Sequence, residues 1–219
     1  MSDWFPFWLS LRVSVIATVI SGVLGVAIAY LLAKWRSRLA SLVEVVFTLP
    51  IVLPPTVLGY YLLASLGSRS VLGGVWEATF GAPLVFTQTG AVVAATVSAL
   101  PFVIRAARAA ISNVDPRTEE MARVIGLPEW KVARVVTLPL AARGIGAGIA
   151  LGFARALGDF GATVMVAGNI PGQTQTLPVA VYDAVQSGDG DTARTGSLVL
   201  GAVAVVVLLV VTQVFARRR

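Results

Sequence analysis

The stretch Glu120-Met-Ala-Arg-Val-Ile-Gly-Leu-Pro-Glu-Trp-Lys-Val-Ala-Arg-Val-Val-Thr-Leu-Pro139 is a polar insert between two long apolar segments, and its reading decides the fold. Just upstream, Asp115-Pro116 opens a helix, since Asp is a strong N-cap and Pro suits the first helical position. Glu119 and Glu120 follow in the early turns, where the helix dipole favours negative charge. Gly126 is a stop, because Gly tolerates the left-handed backbone. Leu127-Pro128 restarts the chain, Pro128-Glu129-Trp130 reads as a second helix start, and Leu138-Pro139 is expected to end that helix at the return to the apolar region. On the first helix Met121, Val124 and Ile125 form an apolar face, while Glu119, Glu120 and Arg123 stay polar. Spacing alone leaves two readings open: a helix pair lying flat on a bilayer, or one that plugs into another protein.

Composition supplies the bilayer. The chain has 219 residues, of which 57% are hydrophobic and 13% charged, and its mean hydropathy is +0.84. Globular domains are about 45–50% apolar and about 25% charged. A soluble domain of this length has too little interior to hide that much apolar surface, so an integral membrane protein is expected. The chain contains no cysteine and no histidine, which removes disulfides and most transition-metal sites; no cofactor and no metal are expected. The net charge of +6 reads as membrane orientation rather than nucleic-acid binding, because the basic residues border apolar segments.

About 20 apolar residues span the hydrocarbon core as a helix. Five segments qualify, at about 11–33, 42–66, 90–111, 144–166 and 196–215. They predict an all-α membrane protein and a single transmembrane domain over residues 1–219, with a connecting loop at about 112–143. The basic residues cluster at 34–38, at Arg105 and Arg108, through the 112–143 loop, and at Arg217, Arg218 and Arg219; the other connections hold only Arg69 and Arg194. By the positive-inside rule the N-terminus lies outside and the 112–143 loop and the C-terminus in the cytoplasm. Arg12 alone precedes the first run, so a retained first helix rather than a cleaved signal peptide is expected. Trp4, Phe5, Phe7 and Trp8 fit an interfacial anchor in membrane lipid. The chain's end, three residues into a basic cluster, leaves the expectation of no regulatory domain.

Three features inside the spans carry more than hydrophobicity. Pro50, Pro54 and Pro55 remove backbone donors within six positions, which favours a broken helix lining a path over a simple kink. Gly144, Gly148 and Gly152 form a ridge of small residues that lets two helices approach closely, within one chain or between subunits. Arg155 and Asp159 are four apart, so that on one helix face they would pair. Ionisable groups at membrane depth face a protein interior or a water-filled cavity, and both a structural ion pair and a place on a substrate path fit them. Residues 166–182 predict a polar loop followed by a short re-entrant or gating helix.

An enzyme is not expected. No Gly-x-x-x-x-Gly-Lys-Ser/Thr loop is present to hold nucleotide phosphates, and the two lysines, Lys34 and Lys131, follow no glycine-rich turn. A channel or carrier working without ATP would not need the long polar insert.

The insert resembles the cytoplasmic coupling loop of ATP-binding-cassette (ABC) importer permeases of type I, whose pattern is Glu-Ala-Ala, a Gly four residues after the last Ala, then Ile-x-Leu-Pro. Glu120, Ala122, Gly126, Leu138 and Pro139 stand at its offsets, with Met121 for the first Ala and Val136 for the Ile. The run from Ala154 to Thr163, the segment Gly168-Asn-Ile-Pro-Gly-Gln-Thr-Gln-Thr-Leu-Pro178, and the proline-rich 48–60 stretch are similar to molybdate-importer permeases. Sulfate and thiosulfate permeases share a weaker version of these. The resemblance implies a homodimer with the path between its copies, two ATP-hydrolysing subunits gripping the coupling loops, and an external oxyanion-binding protein, in a bacterial or archaeal cytoplasmic membrane. It implies molybdate, with tungstate or sulfate as other possible cargo, and no nucleic-acid partner.

Overall fold

A computed structural model describes residues 4–35 and 37–216. The elements run α1 (Phe5–Lys34), α2 (Arg38–Val52), α3 (Pro55–Leu66), α4 (Val71–Phe80), α5 (Gln88–Ser112), α6 (Pro116–Val124), α7 (Glu129–Val132), a π-turn (Ala133–Thr137), α8 (Leu138–Leu157), α9 (Gly161–Ala167), α10 (Leu177–Gln186) and α11 (Gly190–Ala216). Among the described residues, four helical spans are long and apolar enough to cross a membrane, and the bent pair α2–α3 brings the number to five if it counts as one. The all-α, roughly five-span fold read from the sequence is thus the fold observed. Arg36, Arg217, Arg218 and Arg219, which carry part of the charge asymmetry, lie outside the described residues.

The span edges differ from the sequence reading in informative ways. The first helix begins at Phe5, so Phe5, Phe7 and Trp8 belong to it rather than precede it. The last begins at Gly190. Residues 66–89 hold a helix of their own, α4, capped by the Ser70 hydroxyl on the Gly73 N–H at 2.9 Å and stopped by Gly81 at φ 71°.

The proline cluster works unevenly. Axes of α2 and α3 differ by 115°. Pro54 caps α3 and Pro55 is its first residue, so the break lies at Leu53-Pro54, where the fixed φ of proline suits a helix start. Pro50 stays inside α2; it removes one hydrogen bond without ending the helix.

The expected helix end at Leu138-Pro139 is not there. Residues Glu129–Leu157 run as one span, with the π-turn immediately before Pro139. The Leu138 N–H reaches back five residues to the Ala133 carbonyl. This wider turn absorbs a proline whose missing N–H would otherwise interrupt the i→i−4 ladder. The same span stops early at its other end. Expected to run to 166, it closes at Leu157, and Gly158, Asp159 and Phe160 separate α8 from α9.

Helix α5 is the axis of the bundle, with Ala91, Ala94, Ala95, Ala99 and Ala107 fully buried. Small residues bring its neighbours close. A Cβ placed on Gly25 of α1 would lie 2.9 Å from Val103, and on α8 a Cβ on Gly144, Gly148 or Gly152 would lie 2.4 Å from Ala110, 2.7 Å from Ala106 or 2.8 Å from Val103. The glycine ridge therefore faces α5 of its own chain. We predict that Gly148→Leu forces α8 off α5 at a cost of about 3 kcal/mol. The check is the thermal midpoint of the detergent-solubilised chain, which should fall sharply, whereas Gly201→Leu, with open space around it, should leave it unchanged.

Candidate functional site

Two sites emerge, one at each level of the bundle. The first lies at the end where α1 and α5 finish. Asp115 caps α6 by accepting the Arg117 N–H at 2.9 Å, with Pro116 at the first helical position. The helix ends in a Schellman arrangement: the Gly126 N–H donates to the Arg123 carbonyl at 2.9 Å and the Leu127 N–H to the Ala122 carbonyl at 3.2 Å. Gly126 has φ 89°. Glu120 is exposed and Ala122 buried, while Leu138 and Pro139 sit in the first turn of α8, beyond the π-turn.

The residue that links these parts is Glu119, read from the sequence as polar surface. It is only 4% exposed. It forms an ion pair with Lys34 at the end of α1, accepts a hydrogen bond from the Thr137 hydroxyl of the π-turn at 2.7 Å, and lies 3.5 Å from the Arg123 guanidinium. Arg123 in turn forks onto Glu129 across the Gly126 turn, at 2.6 and 3.2 Å. No local pattern signals the Lys34–Glu119 pair, because its members are 85 positions apart.

Burial works to raise the Glu119 pKa, but hydrogen bonds from Lys34 and Thr137 and the charges of Lys34 and Arg123 outweigh it, so its carboxyl titrates below the usual range. A depressed carboxyl stabilises the folded state fully above its unfolded pKa, about 4.3, and loses that contribution as pH falls through the folded value. Thermal midpoints followed from neutral pH downward should therefore hold until about pH 4 and then drop, and Glu119→Gln should remove part of that drop.

The second site is at membrane depth. A cavity of about 380 Å³ opens beside the α2–α3 break and the α8–α9 break, lined by Pro50, Pro55, Thr56, Phe102, Arg155 and Phe160 among others. It brings two of the three prolines together with Arg155; Pro54 stands at the break beside them. Arg155 and Asp159 do pair, at 2.9 Å, though not along one helix, since α8 ends between them. Asp159 is 2% exposed and also accepts from the Ser98 hydroxyl at 3.2 Å, the Thr163 N–H at 3.0 Å and the Thr163 hydroxyl at 2.7 Å. It thus anchors Arg155, fastens the start of α9, and ties both to α5. Guanidinium carries five N–H donors, and its contact with Asp159 leaves Arg155 able to offer donors to the cavity. Further toward the first site, Arg108 of α5 pairs with Glu44 of α2.

A helical bundle with a broken span, a mainly apolar cavity holding Arg155 beside the break and a short amphipathic helix at one end fits a membrane transport subunit. Its sequence fits the profile described as "Binding-protein-dependent transport system inner membrane component" over residues 21–218. The chain belongs to that family, which makes it a transport component of a membrane rather than an enzyme. It is 38% identical over 215 residues to the molybdenum transport system permease protein ModB of Escherichia coli K12, covering 98% of this chain and 94% of that protein. With ModB of Haemophilus influenzae the identity is 41% over 195 residues, covering 89% and 85%. The sulfate transport system permease protein CysT of Escherichia coli K12 is 31% identical over 202 residues, covering 92% and 73%. Among solved structures, a chain of the MetNI methionine ABC transporter in inward-facing conformations superposes with TM-score 0.76 at 18% identity, covering 99% of this chain and 98% of that one. At that identity the likeness speaks for the fold alone.

Proposed function

We propose that this chain is the permease of an ABC importer that carries molybdate into the cell. The observation that carries the reading is the exposed apolar face of α6: Met121 is 64%, Val124 87% and Ile125 75% exposed, on a short helix at the polar end of the bundle. Apolar side chains in water at that end call for a protein cover, and a separate ATP-hydrolysing subunit is the cover that a transport subunit needs. Two copies of the chain would frame the path and two ATPases would hold their α6 helices. An external oxyanion-binding protein would deliver cargo to the opposite end. Glu120 serves the docking, while the Gly126 turn and the buried Ala122 hold α6 in shape for it; the cavity at Pro50, Pro55 and Arg155 belongs to the path. Molybdate is preferred over sulfate because the molybdenum permeases are the more similar relatives.

This orientation places the N-terminus outside and α6 in the cytoplasm of a bacterial or archaeal cell. A thiol introduced by Trp130→Cys should then be labelled only from the cytoplasmic side. The functional test is uptake by vesicles holding this chain, its candidate ATPase and binding protein. ATP-dependent molybdate uptake that excess sulfate does not displace supports the proposal. Uptake by the chain alone would identify an ATP-independent channel or carrier.

A further inference from the structure

Helix α6 has nine residues, fewer than an isolated helix needs to persist in water. Its position therefore depends on what holds it. The backbone holds it at its two ends, through the Asp115 cap and the Gly126 stop. Between them, Glu119 is the charged α6 side chain that is buried, and beside its pair with Arg123 of the same helix it reaches two elements outside α6. One carboxylate meets the last residue of α1 through Lys34 and the turn that opens into α8 through Thr137. Arg123 brings a second charge to the same carboxylate. A displacement of α6 that left α1 and α8 behind would have to expose or unpair this group.

Helix α8 continues without a break from the Thr137 contact to Leu157, roughly 30 Å at 1.5 Å per residue. At its far end stand Arg155 and the Gly158–Phe160 break beside the cavity. The pin and the cavity are thus opposite ends of one rod.

We infer that Glu119 is the positioning residue that makes α1 and α8 move with α6, converting a pull on the docking helix into a displacement at the cavity. The inference rests on the importer reading. It assigns transmission to a residue with its back to the docking surface, distinct from the exposed Glu120, which faces outward.

Two experiments test it. In vesicles holding the chain with its ATPase and binding protein, Glu119→Gln and Lys34→Met should each lower molybdate taken up per ATP hydrolysed about tenfold, with the ATPase still co-purifying. Lys34→Arg, which keeps the charge, should restore the parent ratio. The second experiment needs no transport. The chain has no cysteine, so spin labels can be placed uniquely on the exposed Leu31→Cys of α1 and Val124→Cys of α6. In lipid discs the distance between them should be narrowly distributed in the parent and clearly broader with Glu119→Gln. A parent-like uptake ratio in both Glu119→Gln and Lys34→Met overturns the inference. If the unmodified complex shows no ATP-driven uptake, the importer reading fails instead, and the label distances decide alone: equal widths in the parent and Glu119→Gln overturn the pin.

Discussion

Gly126→Asp should abolish transport while leaving the chain inserted and folded. Gly126 closes α6 with φ 89°, a conformation that costs a non-glycine residue about 1–3 kcal/mol. The neighbourhood adds no steric cost, because a Cβ there would have no atom within 4 Å. Strain is therefore confined to the turn between α6 and α7, which lies outside the membrane spans, and insertion stays intact. Relieving it means giving up the two hydrogen bonds that the Gly126 and Leu127 N–H groups make, and with them the angle between the two short helices. The carboxylate adds a charge beside Ile125 and Val124, on the apolar face proposed to seat the ATPase. A graded series separates the effects. Gly126→Asn, which tolerates the left-handed backbone, should retain most uptake; Gly126→Ala should retain less; Gly126→Asp should fall below detection. Vesicle uptake and co-purification of the ATPase are the measurements. Parent-rate transport by a normally assembled Gly126→Asp complex would remove α6 from the coupling role.

The spans were legible because lipid leaves the backbone few choices. A run of apolar residues must pair its own N–H and C=O groups, so hydropathy alone locates the spans to within a turn or two, except the fourth, which runs Glu129–Leu157 rather than 144–166. The proline cluster was legible for the same reason, as missing donors within a span. Legibility ends where a contact crosses the bundle. Glu119 and Glu120 are adjacent and identical, and nothing local tells which one turns inward; the answer lies with Lys34 and Thr137. Pro139 misled because the rule that proline ends a helix omits the option of widening the turn before it. Asp159 was correctly joined to Arg155, but for a helix that stops at Leu157. The side-chain acceptance of the Thr163 N–H, which makes a break there stable, has no signature beyond the glycines on either side. The small-residue ridge showed that two helices meet, whereas only the packing shows that the partner is α5 of the same chain.

The Arg155–Asp159 pair offers the sharpest division between architecture and transport. Asp159→Ala should be the most damaging single change at membrane depth. It leaves Arg155 without its counter-ion and takes the acceptor from Ser98 and from both donors of Thr163. Breaking one side of a buried ion pair costs about 3–5 kcal/mol, comparable to the whole margin of many folds, so little folded protein should be recovered. Arg155→Gln leaves the Asp159 carboxylate without its counter-ion, but the hydrogen bonds from Ser98 and Thr163 remain, so its cost should be smaller than that of Asp159→Ala. That variant should fold with a lowered thermal midpoint and import molybdate more slowly, since the cavity loses its fixed cation. The double variant Arg155→Gln/Asp159→Asn removes both charges while an amide oxygen can still accept from Thr163. Its stability should exceed that of Asp159→Ala, yet its uptake should stay as slow as that of Arg155→Gln. If uptake instead recovers together with stability, the guanidinium acts only as a brace for the α8–α9 break, and the oxyanion passes the cavity without its help.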